Sequence, residues 1–420
     1  MTIELLYGRG TLGLDVPEGI RPVIVDKHEM PVLADPHAAI ETAIAPLGEL
    51  AQGKRSACIL ICDITRPVPN FLFLRPLIRK LHDAGMTKDN ITVLVATGLH
   101  RPNEGDELAE LVGDPWVFDN ATVANHFAER DEDHVDLGKT PGRGVPVKLD
   151  RRLVEADIRI ATGLVEPHFM AGWSGGRKVI APGVAHKDTI TTFHNSRFMS
   201  DPAARNCNLD GNPLHEEQLA IVAMLGGALA LNTVIDNHRR LAFVNFGEIV
   251  QTHLEAVAFM RRFAEVKLPK RFKVVITSSA GYPLDKTYYQ TVKGMVGALG
   301  ILEAGGDLVI ASECSEGIGS PHFAEAQKRL VELGTEGFWA SIEKKPLADI
   351  DEWQTQMQLK AMKAGRITLV SSGLDDAARN MTGVNHAPTL TKALTSALRR
   401  HNVDEIAVVP EGPYVVPVAA

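Results

Sequence analysis

The chain has 420 residues, with 44 Lys and Arg against 52 Asp and Glu, and a formal net charge of −8 at pH 7. That length exceeds the roughly 250–300 residues at which a single core stops growing, so two domains are expected. The acidic balance, without a Lys/Arg run or a basic-aromatic patch, argues against a nucleic-acid-binding class.

The beginning of the chain carries no targeting signal that the sequence makes evident. Residues 1–20 lack a charged segment followed by an apolar one, and no apolar run reaches about 18 residues, so neither export nor membrane spanning is indicated and a cytoplasmic location is expected. The cysteines include no C-x-x-C pair, and we expect reduced thiols that are mostly buried.

Three apolar runs share one pattern, in which a β-type segment ends abruptly in small polar residues. They are SACILICDITRP (56–67), NITVLVATGLHRP (90–102) and ADIRIATGLVEPH (156–168). Continuous Val/Ile/Leu runs of this length predict strands buried on both faces, and the segment 71–85 has helical spacing with a Gly stop. These runs predict a parallel, doubly wound α/β sheet.

Polar side chains follow each of these strands. In doubly wound sheets, ligands bind in the crevice beyond the carboxyl ends of the strands. We therefore expect four residues to converge at one edge of the sheet, namely Asp63, Arg66, His100 and His168.

The stretch 166–195, EPHFMAGWSGGRKVIAPGVAHKDTITTFHN, is the densest in candidate residues. Gly175 and Gly176 permit close approach of the backbone to a ligand, while Ser174 and Arg177 offer donors. The SGGRK segment is therefore typical of an anion cradle, with phosphate as the natural guest.

The next residue, Lys178, is a candidate covalent anchor. Glycine-rich backbone precedes it and the apolar segment VIAPGVA follows it, so its amine is expected to be partly desolvated. A lysine with a lowered pKa can act as a nucleophile. The alternative is a surface lysine beside a tight turn.

After residue 200 the pattern changes. A helix (211–225) precedes two strands (228–236 and 239–247) that a short turn joins into an antiparallel hairpin. A helix up to about residue 266 and the linker LPKRFK (268–273) follow.

A second α/β domain is predicted beyond that linker. Its strand-then-loop segments are KVVITSSAGYPLDK (273–286), GGDLVIASECSEGIG (305–319) and GRITLVSSG (365–373). The final helix and strand (391–412) could return to either domain. We predict two α/β domains with parallel-rich sheets and an active-site cleft between them, spanning residues 1–268 and 273–385, with the tail 388–420 completing the first.

Five motifs in order resemble those of the nickel-pincer lactate racemase family: DITRP, TGLHRP, EPHFMAGWSGGRK, FHN and YQTVKG. The resemblance covers both predicted domains. It implies an isomerase that interconverts the enantiomers of a lactate-like 2-hydroxy acid by proton-coupled hydride transfer. It also implies a nickel-pincer nucleotide, a pyridinium-3-thioamide-5-thiocarboxylic acid mononucleotide with nickel, which cofactor-synthesis enzymes would supply.

The resemblance also implies a role for each matching residue. Lys178 would bond covalently to the cofactor, His194 would bind nickel, and His100 and His168 would be the acid/base pair. The residues implied in substrate binding are Arg66, Gln290, Lys293 and Trp353. The residues implied in holding the cofactor are Asp63, Thr65, Ser174, Gly175, Gly176 and Arg177, and Asp63 could instead position Arg66. The first domain would bind the cofactor and the second would contact the substrate.

The chemistry agrees with this resemblance. The Cα proton of a 2-hydroxy acid is far from acidic, so direct deprotonation is difficult. Removal of hydride from Cα while a base takes the hydroxyl proton gives a planar 2-oxo acid instead. Hydride can then return to either face of that acid. Two neutral histidines suit the proton transfers. One imidazole with sulfur ligands suits planar nickel.

Several alternatives stay open in the sequence. His186 competes with His194, Trp339 competes with Trp353, and Arg66 could simply pair with Asp63. Gln290 and Lys293 would share a helical face, which fits a solvated face nearly as well as a site. The remaining histidines are interpreted as surface or structural, among them His126, His134, His215, His253 and His322.

Two other functions also remain possible. One is a metal-dependent hydrolase in which His100, His168, His194 and Asp63 form a zinc or manganese site. The other is a non-catalytic protein that binds an anionic metabolite. The sequence identifies neither the particular 2-hydroxy acid nor the oligomeric state.

Overall fold

The computed structural model describes residues 1–419 as strands that alternate with helices. The strands are β1 Thr2–Tyr7, β2 Gly10–Asp15, β3 Arg21–Ile24, β4 Ala57–Cys62, β5 Ile91–Ala96, β6 Thr122–Asn125, β7 His134–Lys139, β8 Pro146–Asp150, β9 Ile158–Leu164, β10 Pro167–His168, β11 Gly172–Trp173, β12 Leu229–Ile235, β13 Leu241–Glu248, β14 Glu265–Leu268, β15 Phe272–Ser278, β16 Leu302–Ala311, β17 Gly365–Val370, β18 Asn385–His386, β19 Glu405–Val409 and β20 Val416–Ala419.

The helices are α1 Pro36–Ala43, α2 Leu47–Leu50, α3 Asn70–Asp83, α4 Gly105–Val112, α5 Trp116–Asn120, α6 Arg151–Val154, α7 Arg177–Ile180, α8 Lys187–Phe193, α9 Ser196–Met199, α10 Pro213–Leu225, α11 Ile249–Ala264, α12 Tyr288–Gly297, α13 Pro321–Ile342, α14 Glu352–Ala364, α15 Asp376–Met381 and α16 Leu390–His401.

The chain divides into two units. Unit 1 comprises Met1–His28, His194–Cys207 and Phe263–Ala420, and unit 2 comprises Glu29–Phe193 and Asn208–Arg262.

Unit 2 is built on a six-stranded sheet in the order β13-β12-β9-β4-β5-β6. Every neighbouring pair is parallel except β12 and β13, which form the antiparallel hairpin. The chain runs from β4 outward to β5 and β6, then returns to β9 on the other side of β4. The strand order therefore reverses between β4 and β9, which is the place where doubly wound sheets bind ligands.

Helices cover the sheet of unit 2. On one face, Ile59 and Val93 pack with Leu74 and Ile78 of α3 in a single apolar core. Helix α3 buries the apolar stripe that its spacing predicts, and Pro76 inside it does not end the helix. Helix α7 lies against β4 and β9.

Unit 1 is built on a parallel sheet in the order β18-β17-β16-β15-β19-β3. Strands β16, β17 and β18 extend from β15 on one side, whereas β19 and β3 lie on the other. The β1–β2 hairpin covers one face together with α16, and its Leu5 and Leu14 pack against Val274 and Ile276. Helices α12 and α14 lie against the sheet as well.

The predicted fold class is confirmed, since the structure is α/β with parallel-rich sheets. The antiparallel hairpin of β12 and β13 is also as predicted.

The prediction that the tail completes the first domain is wrong. Strand β19 pairs in parallel with β15 and with β3, so the tail belongs to the sheet of the C-terminal segment. The first 28 residues belong there too. The predicted linker 268–273 begins inside β14, which pairs with β20, and ends inside β15.

Two expectations concern features of the whole chain. In residues 1–419, no helix combines the length and apolar character needed to cross a bilayer. Cys58, Cys207 and Cys314 are buried, as expected of structural thiols, and Cys62 is partly buried.

Candidate active site

The carboxyl ends of β4 and β9 meet where the strand order of unit 2 reverses. Arg66 follows β4, Glu166 follows β9, and the guanidinium of Arg66 donates from Nη1 to Oε1 of Glu166 in an ion pair. The backbone N–H of Arg66 donates to the carbonyl of Asp63 over 3.1 Å. The side chain of Arg66 therefore pairs with Glu166 rather than with Asp63, and this ion pair joins the ends of two strands.

Asp63 holds the ring of His100. Oδ2 of Asp63 lies 2.6 Å from Nδ1 of His100, and Oδ1 accepts from Thr65 through its backbone N–H at 3.1 Å and its hydroxyl at 2.5 Å. Burial would raise the pKa of Asp63, but the charge and hydrogen bond of His100 outweigh it and hold the pKa below its ordinary value. A carboxylate on Nδ1 places the lone pair of a neutral imidazole on Nε2.

His168 has the opposite hydrogen-bond environment. Its Nδ1 accepts from the backbone N–H groups of Met170 at 3.3 Å and Ala171 at 3.1 Å. A neutral ring that accepts at Nδ1 carries its proton on Nε2. The two histidines therefore present opposite tautomers, one suited to accept a proton at Nε2 and the other to donate a hydrogen bond from Nε2.

The SGG turn that precedes α7 is held by its backbone conformation and by the side chain of Ser174. Gly175 and Gly176 have φ values of +75° and +48°, and a Cβ at Gly175 would lie 2.7 Å from Val165. Ser174 donates from Oγ to the carbonyl of Leu164 at 2.7 Å and accepts from the N–H of Glu166 at 3.0 Å. In residues 1–419, the N–H groups of Gly175 and Gly176 donate to no protein acceptor.

Lys178 is the second residue of α7 and is partly buried. Burial lowers its pKa to about 7, and the positive charges of Arg66 and Arg177 act in the same direction. The amine is therefore substantially neutral at neutral pH, the form in which lysine is a nucleophile.

Arg177 points into unit 2. Its guanidinium donates to the carbonyls of Trp173 and Ala171, both at 3.1 Å, and to Nδ1 of His215 at 2.9 Å. Nε2 of His253 lies 2.8 Å from Nη1 of Arg177 and 2.9 Å from the carbonyl of Ser174. Only 1% of the residue is exposed, and burial lowers its pKa to about 9.

His194 lies in unit 1, between α8 and α9. Its ring packs on Trp353 of α14, with centroids 4.9 Å apart and planes inclined by 45°. Trp353 donates a hydrogen bond to Tyr289, which donates to Asp351, and burial raises the pKa of Tyr289 well above its ordinary value.

The connection after His194 is anchored to the same unit. Asn195 caps α9 and donates from Nδ2 to the carbonyl of Pro346 at 2.8 Å, while Ser196 donates from Oγ to the carbonyl of Ile342 at 2.9 Å. Gln356 of α14 donates to the carbonyl of Ser196 at 3.2 Å.

Gln290 and Lys293 lie on α12, three residues apart. Both are partly exposed, whereas Tyr288, Thr291 and Val292 are completely buried. Oε1 of Gln290 is buried and has no hydrogen-bond partner within residues 1–419.

Two sequence models match this chain, one of the lactate racemase N-terminal domain over residues 7–206 and one of the lactate racemase C-terminal domain over residues 268–417. The lactate racemase of Thermoanaerobacterium thermosaccharolyticum is 30% identical over 433 residues, which cover 99% of this chain and 98% of that protein. The lactate racemase of Lactiplantibacillus plantarum is 31% identical over 373 residues, which cover 88% of this chain and 87% of the relative.

The chain belongs to the lactate racemase family.

Solved structures agree with this assignment. The lactate racemase apoprotein of T. thermosaccharolyticum superposes with a TM-score of 0.92 at 29% identity, covering 99% of this chain and 100% of that one. A protein from Thermotoga maritima has a TM-score of 0.69 at 17% identity over 91% of this chain and 98% of its own, a likeness of fold alone.

Membership of the lactate racemase family makes the chain an isomerase of the racemase class. The alternative of a non-catalytic binding protein is therefore wrong. The hydrolase alternative also lacks its metal site, because no three His, Cys, Asp or Glu side chains in residues 1–419 are grouped to hold a metal ion.

The side chains of two predicted cradle residues make contacts within unit 2. Ser174 uses its hydroxyl to join the turn to the end of β9, and Arg177 uses its guanidinium to join the turn to α10 and α11. The two side chains are thus engaged within unit 2, and their part in holding the cofactor stays a prediction. A pattern of residue types does not reveal whether a polar side chain beside a glycine turn faces the ligand or the interior.

The other predicted residues of this segment, together with His194, fit the cofactor that the family implies. Lys178 supplies a largely neutral amine, and the N–H groups of Gly175 and Gly176 are oriented by positive φ angles that glycine tolerates. His194 supplies one imidazole on a rigid connection.

The competing residues have other surroundings. The ring of His186 packs on that of His134 at 5.0 Å, and Trp339 lies under the amine of Lys363 at 4.9 Å. Of the two tryptophans, Trp353 is the one that contacts a predicted site residue.

Sequence reasoning gave no role to Glu166. It stands directly after a buried strand and two residues before His168, so the strand-end rule that selected Asp63 could have selected it. Tyr289 opens the YQTVKG motif, but its hydrogen bonds to Trp353 and Asp351 could not be predicted because they join residues far apart in the chain.

Proposed function

We propose that this racemase interconverts the enantiomers of a small 2-hydroxy acid, lactate or a close relative, and that it does so with a nickel-pincer nucleotide attached to Lys178. When bound, that cofactor supplies an electrophilic site that accepts a hydride from the substrate carbon and returns it. The observation that most supports the proposal is the amine of Lys178, which is partly buried and has a pKa lowered to about 7, at the ligand-binding edge of a doubly wound sheet.

His100 is proposed to take the hydroxyl proton of one enantiomer. Asp63 fixes its ring through Nδ1 and stabilises the imidazolium that forms, so Nε2 is the basic atom. Thr65 in turn holds Asp63 through two hydrogen bonds.

His168 is proposed to serve the opposite face of the substrate. Because its Nδ1 accepts from two backbone N–H groups, its Nε2–H would donate a hydrogen bond to the oxygen of the planar 2-oxo acid, and the proton that returns to this oxygen is the one that Nε2 of His100 took.

Arg66 is proposed to bind the substrate carboxylate. A guanidinium has five N–H donors, so the pair with Glu166 leaves donors for a second carboxylate and fixes the side chain for it. Lys293 is proposed to add positive charge for the same carboxylate, and Oε1 of Gln290 to accept from the substrate hydroxyl. Trp353 would hold the ring of His194, the proposed nickel ligand.

The attachment is tested by mass spectrometry of protein produced together with the cofactor-synthesis enzymes. A peptide that contains Lys178 should carry the cofactor mass, and Lys178→Arg should lose both the adduct and the activity. The matched control is Lys187→Arg, a change at a half-exposed lysine of the same unit. Active protein without an adduct on Lys178 would contradict the proposal.

The substrate is tested with a panel of enantiopure 2-hydroxy acids, including lactate, malate and longer relatives. Loss of optical rotation identifies the acids that the holoenzyme racemises. If no 2-hydroxy acid loses optical rotation with protein that carries the adduct, the proposed substrate class is wrong.

A further inference from the structure

Arg177 is a buried cation whose hydrogen-bond partners are all neutral. It donates to two backbone carbonyls, of Ala171 and Trp173, and to the imidazole of His215, and it contacts the imidazole of His253. In residues 1–419, Arg177 forms no ion pair.

Two other arginines of the same unit have carboxylate partners, whereas Arg159, which is less buried than Arg177, donates only to backbone carbonyls. The guanidinium of Arg66 pairs with Glu166, and that of Arg152 pairs with Asp150. The solvent reaches both of these arginines more than it reaches Arg177, so the most deeply buried of the three guanidinium groups is the one without a counter-ion.

His215 must be neutral to accept from Arg177. A guanidinium only donates hydrogen bonds, so Nδ1 of His215 must present a lone pair. Nε2 of His253 lies 2.8 Å from Nη1 of Arg177 and 2.9 Å from the carbonyl of Ser174, so this nitrogen has both a donor and an acceptor as neighbours. Burial, together with the charge of Arg177, lowers the pKa of His215 to about 3 and that of His253 well below its ordinary value. The group of three side chains therefore carries one positive charge.

A cation of this kind is costly, since burying a charge without a counter-ion is among the least favourable arrangements in a protein. A carboxylate at position 215 would remove the cost and is compatible with the backbone, because His215 is the third residue of α10, where acidic residues are favoured. The chain has an imidazole there instead, which preserves the hydrogen bond but leaves the charge uncompensated.

The residue next to this cation is Lys178. The other charged groups around its amine are already paired, Arg66 with Glu166 and Asp63 with His100, and burial raises the pKa of the partly buried Cys62 thiol to about 11. Arg177 is therefore the charge near Lys178 that no carboxylate neutralises.

We propose that His215 and His253 hold Arg177 as an uncompensated cation, and that its charge adds to the effects of burial and of Arg66 in keeping the amine of the adjacent Lys178 in the neutral, nucleophilic form. Arg177 and the two histidines then act as positioning residues for Lys178 rather than as ligands of any substrate. The biological meaning rests on the proposed function, in which Lys178 is a covalent anchor, because the free amine of an anchor must be neutral to react.

The experiment uses apoprotein and compares His215→Glu with the matched control His215→Gln. Both replacements can accept from Arg177, but only the first brings a negative charge. Trace labelling with acetic anhydride over pH about 6 to 10, quantified for each lysine by peptide mass spectrometry, gives the pKa of Lys178 with the other lysines as internal standards.

We expect His215→Glu to raise the pKa of Lys178 by about one unit and to lower its labelling rate at neutral pH several-fold, as one added charge at intermediate range should do. His215→Gln should leave both values near those of the unchanged protein. The half-exposed Lys187 should respond to neither change.

The variants His253→Glu and His253→Gln repeat the comparison from α11, so a folding defect at one position does not prevent the test. Equal pKa values for Lys178 in the Glu and Gln variants would overturn the proposal. So would a Lys178 of the unchanged protein that titrates like Lys187 or fails to react across the pH range. None of these outcomes depends on the cofactor, whereas the proposed function is tested on holoenzyme, by the adduct on Lys178 and by the racemisation of 2-hydroxy acids.

Discussion

At the scale of single residues, the pair of Asp63 and His100 is the arrangement whose chemistry can be stated most directly. A carboxylate with a lowered pKa lies 2.6 Å from Nδ1 of an imidazole, so the tautomer and the orientation of the ring are both fixed. Replacing Asp63 by Asn keeps the shape but removes the negative charge that stabilises an imidazolium.

We predict that Asp63→Asn lowers kcat of the holoenzyme by roughly 100-fold or more, the range over which general acid–base groups contribute. The rate of racemisation at saturating substrate measures this. Asp106→Asn, at an exposed position of α4, should leave kcat unchanged. A normal kcat for the Asp63→Asn variant would show that His100 needs no charged partner.

A second prediction at this scale concerns His126, which contacts the start of the turn that carries His100. Its Nε2 lies 3.0 Å from Nε2 of His134, and the hydroxyl of Thr97 lies 3.3 Å from its Nδ1. Burial, followed by the charges of His134, Arg152 and His186, lowers its pKa to about 3.

Because an unfolded histidine has a pKa of about 6.5, the unfolded chain binds a proton that the folded protein does not bind between about pH 6.5 and 3. The stability that neutral His126 provides is complete above that window and is lost as the pH falls through it. His126→Gln should therefore reduce the acid-side slope of the free energy of unfolding by up to about 1.4 kcal/mol per pH unit.

Urea denaturation at a series of pH values measures this slope. His37→Gln, at an exposed position in α1, is the matched control and should leave the slope unchanged. An identical slope in the His126→Gln variant and the unchanged protein would mean that His126 is protonated in the folded state.

At the scale of elements, the hydroxyl of Ser174 is one of the groups that hold the SGG turn to the end of β9. Ser174 joins the end of β9 to the N–H of Glu166, and Glu166 carries the ion pair with Arg66. The position of Arg66 therefore depends on a strand end and a turn that are remote from it in the chain.

Ser174→Ala is predicted to destabilise unit 2 by about 1–3 kcal/mol, because the N–H of Glu166 and the carbonyl of Leu164 each lose a buried partner. It should also raise KM for the substrate through Arg66. Urea denaturation and steady-state kinetics measure the two effects. Thr122→Ala, which removes an exposed hydroxyl from β6, should change neither. Unchanged stability would show that contacts other than the Ser174 hydroxyl hold the turn.

The sequence predicted more about strands and helices than about single side chains or the division into units. The runs that form β4, β5 and β9 are continuously apolar because both faces of these strands are buried. Asp63 and Arg66 follow β4 and lie at the edge of the sheet where the pattern predicted them. The direction of the Ser174 and Arg177 side chains could not be predicted. That of Arg177 depends on α10 and α11, which are distant in sequence.

At the scale of the whole molecule, the chain crosses between units several times. Unit 1 contains the first 28 residues, the short segment that carries His194 and everything from Phe263 onward. Strand pairing between β3 and β19 joins the two ends of the chain. Such pairing leaves no local signal, which is why the domain boundaries were not predictable while the strands were.

The β1–β2 hairpin should therefore stabilise unit 1. Leu5 is completely buried against Val274 and Ile276, and Leu5→Ala is expected to cost about 2–5 kcal/mol. Amide hydrogen exchange should rise in β15 and β16 more than in β4 and β5. Glu4→Ala, on the exposed side of the same strand, should have little effect. Equal loss of protection in both sheets would indicate one cooperative unit.

The opposite hydrogen bonding of His100 and His168 has a consequence for what kinetics can reveal. Two enantiomers have the same free energy, so the equilibrium constant of racemisation is one, and kcat/KM must be equal in the two directions at every pH. A carboxylate on one imidazole and two backbone N–H groups on the other cannot bias the final mixture. The difference can appear only as matched changes in kcat and KM, so that one enantiomer saturates the enzyme at a lower concentration and turns over more slowly.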